Sequence, residues 1–201
     1  MVDEQLRKVK DRILFLVAGP RIERIPPNII TTAGFSVGLI CAVFLYFGCN
    51  LIAFFLWIFN RIIDGLDGYV ARQNGNQTDF GGYYDIITDF IIYALLPGVI
   101  ALRENSLTVS LLVVLLLGVF YVNGASWMYL SGLLQKRRGG MAGKIQTSLE
   151  MPRGLIEGTE TILFYSLFIL LPRYLVWLIP AMAVLTAAGI VQRLIYARKH
   201  L

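Results

Sequence analysis

Residues 64–89 read DGLDGYVARQNGNQTDFGGYYDIITD, and long apolar runs flank them on both sides. Asp64 and Asp67 lie near the end of one run, and Asp85 and Asp89 near the start of the next. Read as membrane helices, the two runs bury four carboxylates. An ionised carboxylate inside a bilayer costs at least a few kcal/mol, so four together demand a compensating cation. Asp64 and Asp67 are three residues apart and Asp85 and Asp89 four apart, so each pair shares one helix face. The short loop between the runs brings the two faces together. The stretch reads as a site and not as a surface.

The rest of the chain supports the membrane reading. Of its 201 residues 57% are hydrophobic and only 15% charged, with a mean hydropathy of +0.67, whereas a soluble domain is about a quarter charged. The expected fold is all-α and polytopic. Six spans fall at about 29–48, 51–72, 81–102, 107–134, 154–171 and 174–196, each close to the ~20 residues that cross a bilayer. Residues 1–27 mix Leu6, Ile13, Leu14, Phe15 and Leu16 with Arg7, Lys8, Lys10 and Arg12, the pattern of an amphipathic interfacial helix, and residues 28–201 form the membrane domain. Asp3, Glu4 and Asp11 interrupt the N-terminus, so it does not read as a cleaved signal peptide.

With six spans, 16 of the 18 Lys and Arg residues fall on the side that holds both termini, and only Arg103 and Arg173 on the other. The cation excess marks the cytoplasmic face. The net charge of +5 then reflects topology and anionic headgroups, and no nucleic-acid motif accompanies it. Cys41 and Cys49 have no CxxC partner, and the lone His200 is a tail residue, which argues against a disulfide framework, a zinc site or histidine catalysis.

Four convergent carboxylates form a hard oxygen cage suited to Mg²⁺, Mn²⁺ or Ca²⁺, with two ions as the natural arrangement. Such a site clamps a phosphoryl oxygen, while a loosely ligated carboxylate accepts a proton from an attacking hydroxyl. Gly65 and Gly68 permit close approach, Arg72 suits a diphosphate, and Gly75, Gly81 and Gly82 leave room at the next helix start.

Asp64, Asp67, Gly68, Ala71, Arg72, Gly81, Asp85 and Asp89 match at every interval the pattern D-x2-D-G-x2-A-R-x8-G-x3-D-x3-D. In this the chain resembles the CDP-alcohol phosphotransferase family, whose members also have six spans. The resemblance implies that Asp64, Asp67 and Asp85 ligate a metal pair, Mg²⁺ or Mn²⁺. Asp89 would complete the site and act as general base. Gly68, Ala71, Arg72 and Gly81 would line the cytidine diphosphate pocket. Pro27, Asn28 and Thr31 resemble the family's P-N-x-x-T entry near the nucleotide, although Asn28 also suits a helix N-cap. The resemblance further implies a homodimer and displacement of CMP from a CDP-linked alcohol.

The chain's length and six spans resemble the members that use CDP-diacylglycerol. Gln192 and Arg193 in the last span resemble the phosphatidylinositol phosphate synthase branch, in which an arginine and loop cations hold a phosphorylated acceptor, and Lys144 and Arg153 are the matching loop cations here. An arginine inside a membrane needs an anionic partner, either a carboxylate such as Glu157 or Glu160 or a substrate phosphate. Serine, glycerol 3-phosphate or another alcohol as acceptor, a CDP-aminoalcohol as donor, a divalent-cation transporter and an inactive scaffold are the alternatives. Arg72 beside the acids disfavours transport. In a prokaryote the enzyme would sit in the plasma membrane with its site facing the cytoplasm.

Overall fold

A computed structural model describes residues 25–75, 77–139, 156 and 158–201. Among these residues the chain is all-helical, with no strand and six α-helices. They are α1 (Pro27–Tyr46), α2 (Asn50–Gln73), α3 (Asp79–Glu104), α4 (Leu107–Gly139), α5 (Gly158–Leu170) and α6 (Leu175–His200), with a 3₁₀ turn at Pro172–Tyr174 before the last.

Local chemistry sets the helix ends. Pro26 and Pro27 open α1, with Pro27 at the first helical position, where a missing N–H costs nothing. Asn28 therefore lies inside the first turn and is not the N-cap that the sequence also allowed. Gly48 at φ +77° and Gly75 at φ +62° turn the chain after α1 and α2, a backbone region that glycine enters without penalty. Thr78 caps α3, its hydroxyl accepting the Gly81 N–H at 3.0 Å.

α1, α3, α4 and the stretch Pro172–His200 that contains α6 are long and apolar enough to cross a membrane, and the chain is an integral membrane protein. α2 has the length, 24 residues, but carries Arg61, Asp64, Asp67 and Arg72. α5 has 13 described residues. The N-terminal interfacial segment, apart from residues 25–27, lies outside the described residues, as does the start of the fifth span. α4, at 33 residues, is about 50 Å long, well over the ~30 Å hydrocarbon thickness.

The chain divides into two compact units at Arg103 and Glu104. In the first, α1 lies close against α2 because Gly34 and Gly38 carry no side chain. A Cβ on Gly34 would sit 3.1 Å from Ile63 Cγ2, and one on Gly38 would sit 2.6 Å from Ile92 Cδ1 on α3. Small residues at helix crossings serve this purpose in membranes, where dispersion and not water exclusion drives helix association. Leu45, Trp57, Ile92, Leu96 and Ile100 are buried in this unit, and Leu116, Tyr165, Phe168, Ile179 and Met182 in the second. Phe55, Leu107, Val184 and Trp177 are among the many large apolar side chains left exposed, as a lipid-facing surface requires.

Candidate active site

The site is built where the C-terminal half of α2 meets the N-terminal half of α3. Asp64, Asp85 and Asp89 each place one carboxylate oxygen within 4.8 Å of the other two. Asp85 Oδ1 is buried with no hydrogen-bond partner among the described residues. A buried carboxylate oxygen left in that condition is costly unless a cation meets it. Three converging hard oxygen donors, one of them from Asp85 itself, fit a divalent ion of the Mg²⁺ or Mn²⁺ type.

Asp67 takes a different position. It is 5% exposed and accepts a 2.6 Å hydrogen bond from Thr31 of α1, whose hydroxyl also lies 3.2 Å from the Pro27 carbonyl. The fourth aspartate thus lines the same cavity as Asp64 and Asp89, but is tied to α1 and stands apart from the three-carboxylate group. Three of the four expected ligands converge directly.

Arg61, one of the 16 cations assigned by sequence to the cytoplasmic side, proves to belong to the site. Arg61 is buried and stands one helical turn before Asp64. It forms a two-pronged pair with Asp89: Nη2 donates to Oδ1 at 2.9 Å and Nη1 to Oδ2 at 3.3 Å. Nη1 also lies 3.7 Å from Asp64 Oδ2. The signal was available, since the rule that an intramembrane arginine needs an anionic partner applies to Arg61 as it does to Arg193.

Of the residues expected to line the nucleotide pocket, Thr31 is buried against Asp67, and the others lie on α1, α2 and α3 of the first unit. Arg72 is exposed, and a Cβ on Gly68 would lie 3.2 Å from Arg72 Nη1. Ala71, the residue before Arg72, is half-buried. At Gly81 a Cβ would meet Thr78 Oγ1 at 3.0 Å and Asn28 Oδ1 at 3.2 Å, so Asn28 and Gly81 are brought side by side. Thr32 shares a 3.1 Å hydrogen bond with Tyr84, which closes α1 onto α3 at this end.

Of the acceptor candidates, Lys144 and Arg153 lie outside the described residues, as does Glu157. Arg193, in the second unit, is buried and donates to Asn123 on α4, to the side-chain oxygen at 2.6 Å and to the main-chain carbonyl at 3.2 Å. Glu160 is exposed in the first turn of α5.

Residues 24–189 match the family model described as CDP-alcohol phosphatidyltransferase. The inner membrane protein YnjF of Escherichia coli is 37% identical over 153 residues, 75% of this chain and 72% of that protein. A bifunctional IPC transferase and DIPP synthase of Archaeoglobus fulgidus is 33% identical over 96 residues, 48% of this chain but only 19% of that protein. The fold resembles the crystal structure of a Mycobacterium tuberculosis phosphatidylinositol phosphate synthase with CDP-DAG bound, at a TM-score of 0.68 and 20% identity over 94% of each chain.

Proposed function

Because this chain belongs to the CDP-alcohol phosphatidyltransferase family, we propose that it transfers a phosphatidyl group from CDP-diacylglycerol to a small hydroxyl acceptor, with release of CMP. The acceptor we favour is a phosphorylated polyol such as inositol phosphate. The observation that carries the reading is the meeting of Asp64, Asp85 and Asp89, from two consecutive helices, with one Asp85 oxygen buried and unpartnered among the described residues. The fold-level neighbour bound to CDP-DAG supports the donor, and that neighbour's name supports the acceptor class.

In this scheme Asp64, Asp67, Asp85 and Asp89 hold two ions, Mg²⁺ or Mn²⁺. When bound, the ions neutralise the diphosphate and the charge that builds up in the transition state. Asn28, Thr31, Gly68, Ala71, Arg72 and Gly81 take the cytidine diphosphate end of the donor, whose acyl chains stay in the bilayer. The acceptor oxygen forms a bond to the lipid-side phosphorus and loses its proton to Asp89. The bond to the CMP oxygen breaks, and CMP leaves with that electron pair. Lys144, Arg153 and Arg193 supply positive charge for an acceptor phosphate. A divalent-cation pathway fits less well, since the Arg61 guanidinium lies in the wall of the same cavity. Both termini face the cytoplasm in this proposal, the chain spans the membrane six times, and it works as a homodimer.

The test is metal-dependent CMP release by the purified protein from CDP-diacylglycerol. Inositol phosphate, inositol, glycerol 3-phosphate and serine are offered separately. Release with inositol phosphate, abolished in Asp89→Asn, is the expected result. Release with serine or glycerol 3-phosphate instead overturns the acceptor, and no release with any acceptor overturns the donor.

A further inference from the structure

Arg61 is heavily engaged within the first unit. A guanidinium has five N–H donors, and here each meets an acceptor. Nε and Nη2 reach Asn60 Oδ1 at 2.8 and 2.7 Å. Nη2 and Nη1 reach the two oxygens of Asp89. Nη1 also reaches the Tyr93 hydroxyl at 2.8 Å. The guanidinium carbon stands 4.8 Å from the centre of the Trp57 ring and 5.0 Å from that of Tyr93. With every donor used inside the protein, Arg61 has nothing left to offer a substrate phosphate.

The group is also fixed from behind. Asn60, 2% exposed, donates from Nδ2 to the Gly34 carbonyl of α1 at 2.8 Å. The chain of contacts therefore runs from the α1 backbone through Asn60 and Arg61 on α2 to Asp89 on α3. A carboxylate offers about four lone-pair positions, and the guanidinium fork takes two of them on Asp89. The remaining two are held in one orientation.

We propose that Arg61 is a positioning residue for the aspartate cluster. It is a built-in cation that keeps Asp64 and Asp89 converged before any divalent ion arrives and aims the free edge of Asp89 into the cavity. The inference rests on reading the cluster as a divalent-cation site. It separates two jobs, charge and fork geometry, that different substitutions remove. Arg61→Met deletes both, and Arg61→Lys keeps the charge but loses the fork.

The test measures Mn²⁺ affinity by titration of the full-length protein in detergent, alongside kcat and the two KM values for CMP release. Arg61→Met should bind Mn²⁺ at least about tenfold more tightly. That is the effect of deleting a unit positive charge about 6 Å from a divalent ion, even with the dielectric constant of water between them. By linkage, Mn²⁺ should then raise its melting temperature more than it raises that of the parent. Arg61→Lys should bind Mn²⁺ within about threefold of the parent. It should lose at least about tenfold in kcat, with both KM values within about threefold, because only the orientation of Asp89 has changed.

A purely structural Arg61 would instead weaken Mn²⁺ binding together with fold stability. Weaker or unchanged Mn²⁺ binding in Arg61→Met, or parental kcat in Arg61→Lys, overturns the proposal. If Arg61→Met does not fold, the Arg61→Lys turnover alone decides. A parent protein that binds no Mn²⁺ overturns the metal-site reading as well, and is told apart from the other failures by that control.

Discussion

Replacing Thr31 by valine keeps the shape of the side chain and removes one hydroxyl. That hydroxyl makes a 2.6 Å bond to Asp67 Oδ2, with Thr31 7% and Asp67 5% exposed. A buried hydrogen bond to a charged group contributes about 1.5–3 kcal/mol. If Asp67 must be held in this orientation to complete the metal cage, the same energy is lost from the transition state. At 1.36 kcal/mol per factor of ten, the loss is about 10- to 150-fold in kcat/KM. The assay is the initial rate of CMP release at saturating Mn²⁺ with the donor varied. Thr31→Ser retains the hydroxyl and should stay within about threefold of the parent, a margin that allows for the looser serine rotamer. The expected signature of Thr31→Val is a fall in kcat. If Thr31→Val raised only the KM for the donor and left kcat intact, the hydroxyl would serve the nucleotide alone, and its role in holding Asp67 for catalysis would be refuted.

Four further outcomes are expected. Gly38→Ala drives a Cβ to 2.6 Å from Ile92 Cδ1. It should cost about 1–3 kcal/mol by overpacking, read as a lower melting temperature in detergent, and Ile92→Val should recover part of the loss. Gly81→Ala crowds Thr78 and Asn28 and should raise the KM for the CDP-linked donor several-fold more than that for the acceptor; an unchanged donor KM would remove Gly81 from the nucleotide pocket. Arg193→Ala should raise the acceptor KM by about tenfold or more, as loss of a charge-assisted contact does, with a much smaller change for the donor. The reverse pattern would return Arg193 to a purely structural pairing with Asn123. Chelation with EDTA should abolish CMP release, and Mg²⁺ or Mn²⁺ should restore it; activity that survives chelation would exclude the two-ion scheme.

Much of the fold was legible because its signals are local. Hydropathy marks α1, α3, α4 and α6 directly, since a bilayer imposes one length and one composition on whatever crosses it. The prolines before α1 act within one turn of the chain, whereas the Thr78 cap of α3 was not read from the sequence, which started that span at Gly81. The aspartate cluster was legible too, because spacings of three and four put each pair on one helix face whatever the neighbours do. Arg61 was not recognised. It stands at the middle of its span, and its worth lies in Asp89 and Tyr93, 28 and 32 residues away. The bond from Thr31 to Asp67, 36 residues on, has no signal in the local sequence either.

Taken alone, then, the amino-acid sequence determined that this chain is a helical membrane protein whose carboxylates sit in two consecutive helices on matched faces. Periodicity and hydropathy are properties of single segments, and each helix satisfies its own backbone hydrogen bonds. Only the tertiary structure decided which side chains share the charge. It drew Asp64, Asp85 and Asp89 into one group, bound Asp67 to α1 through Thr31, and set Arg61 against Asp89. Inside a low-dielectric bundle, the strength of an ion pair depends on distances of a few ångströms between helices, and Gly34 and Gly38 let those helices approach closely enough for the pairs to form.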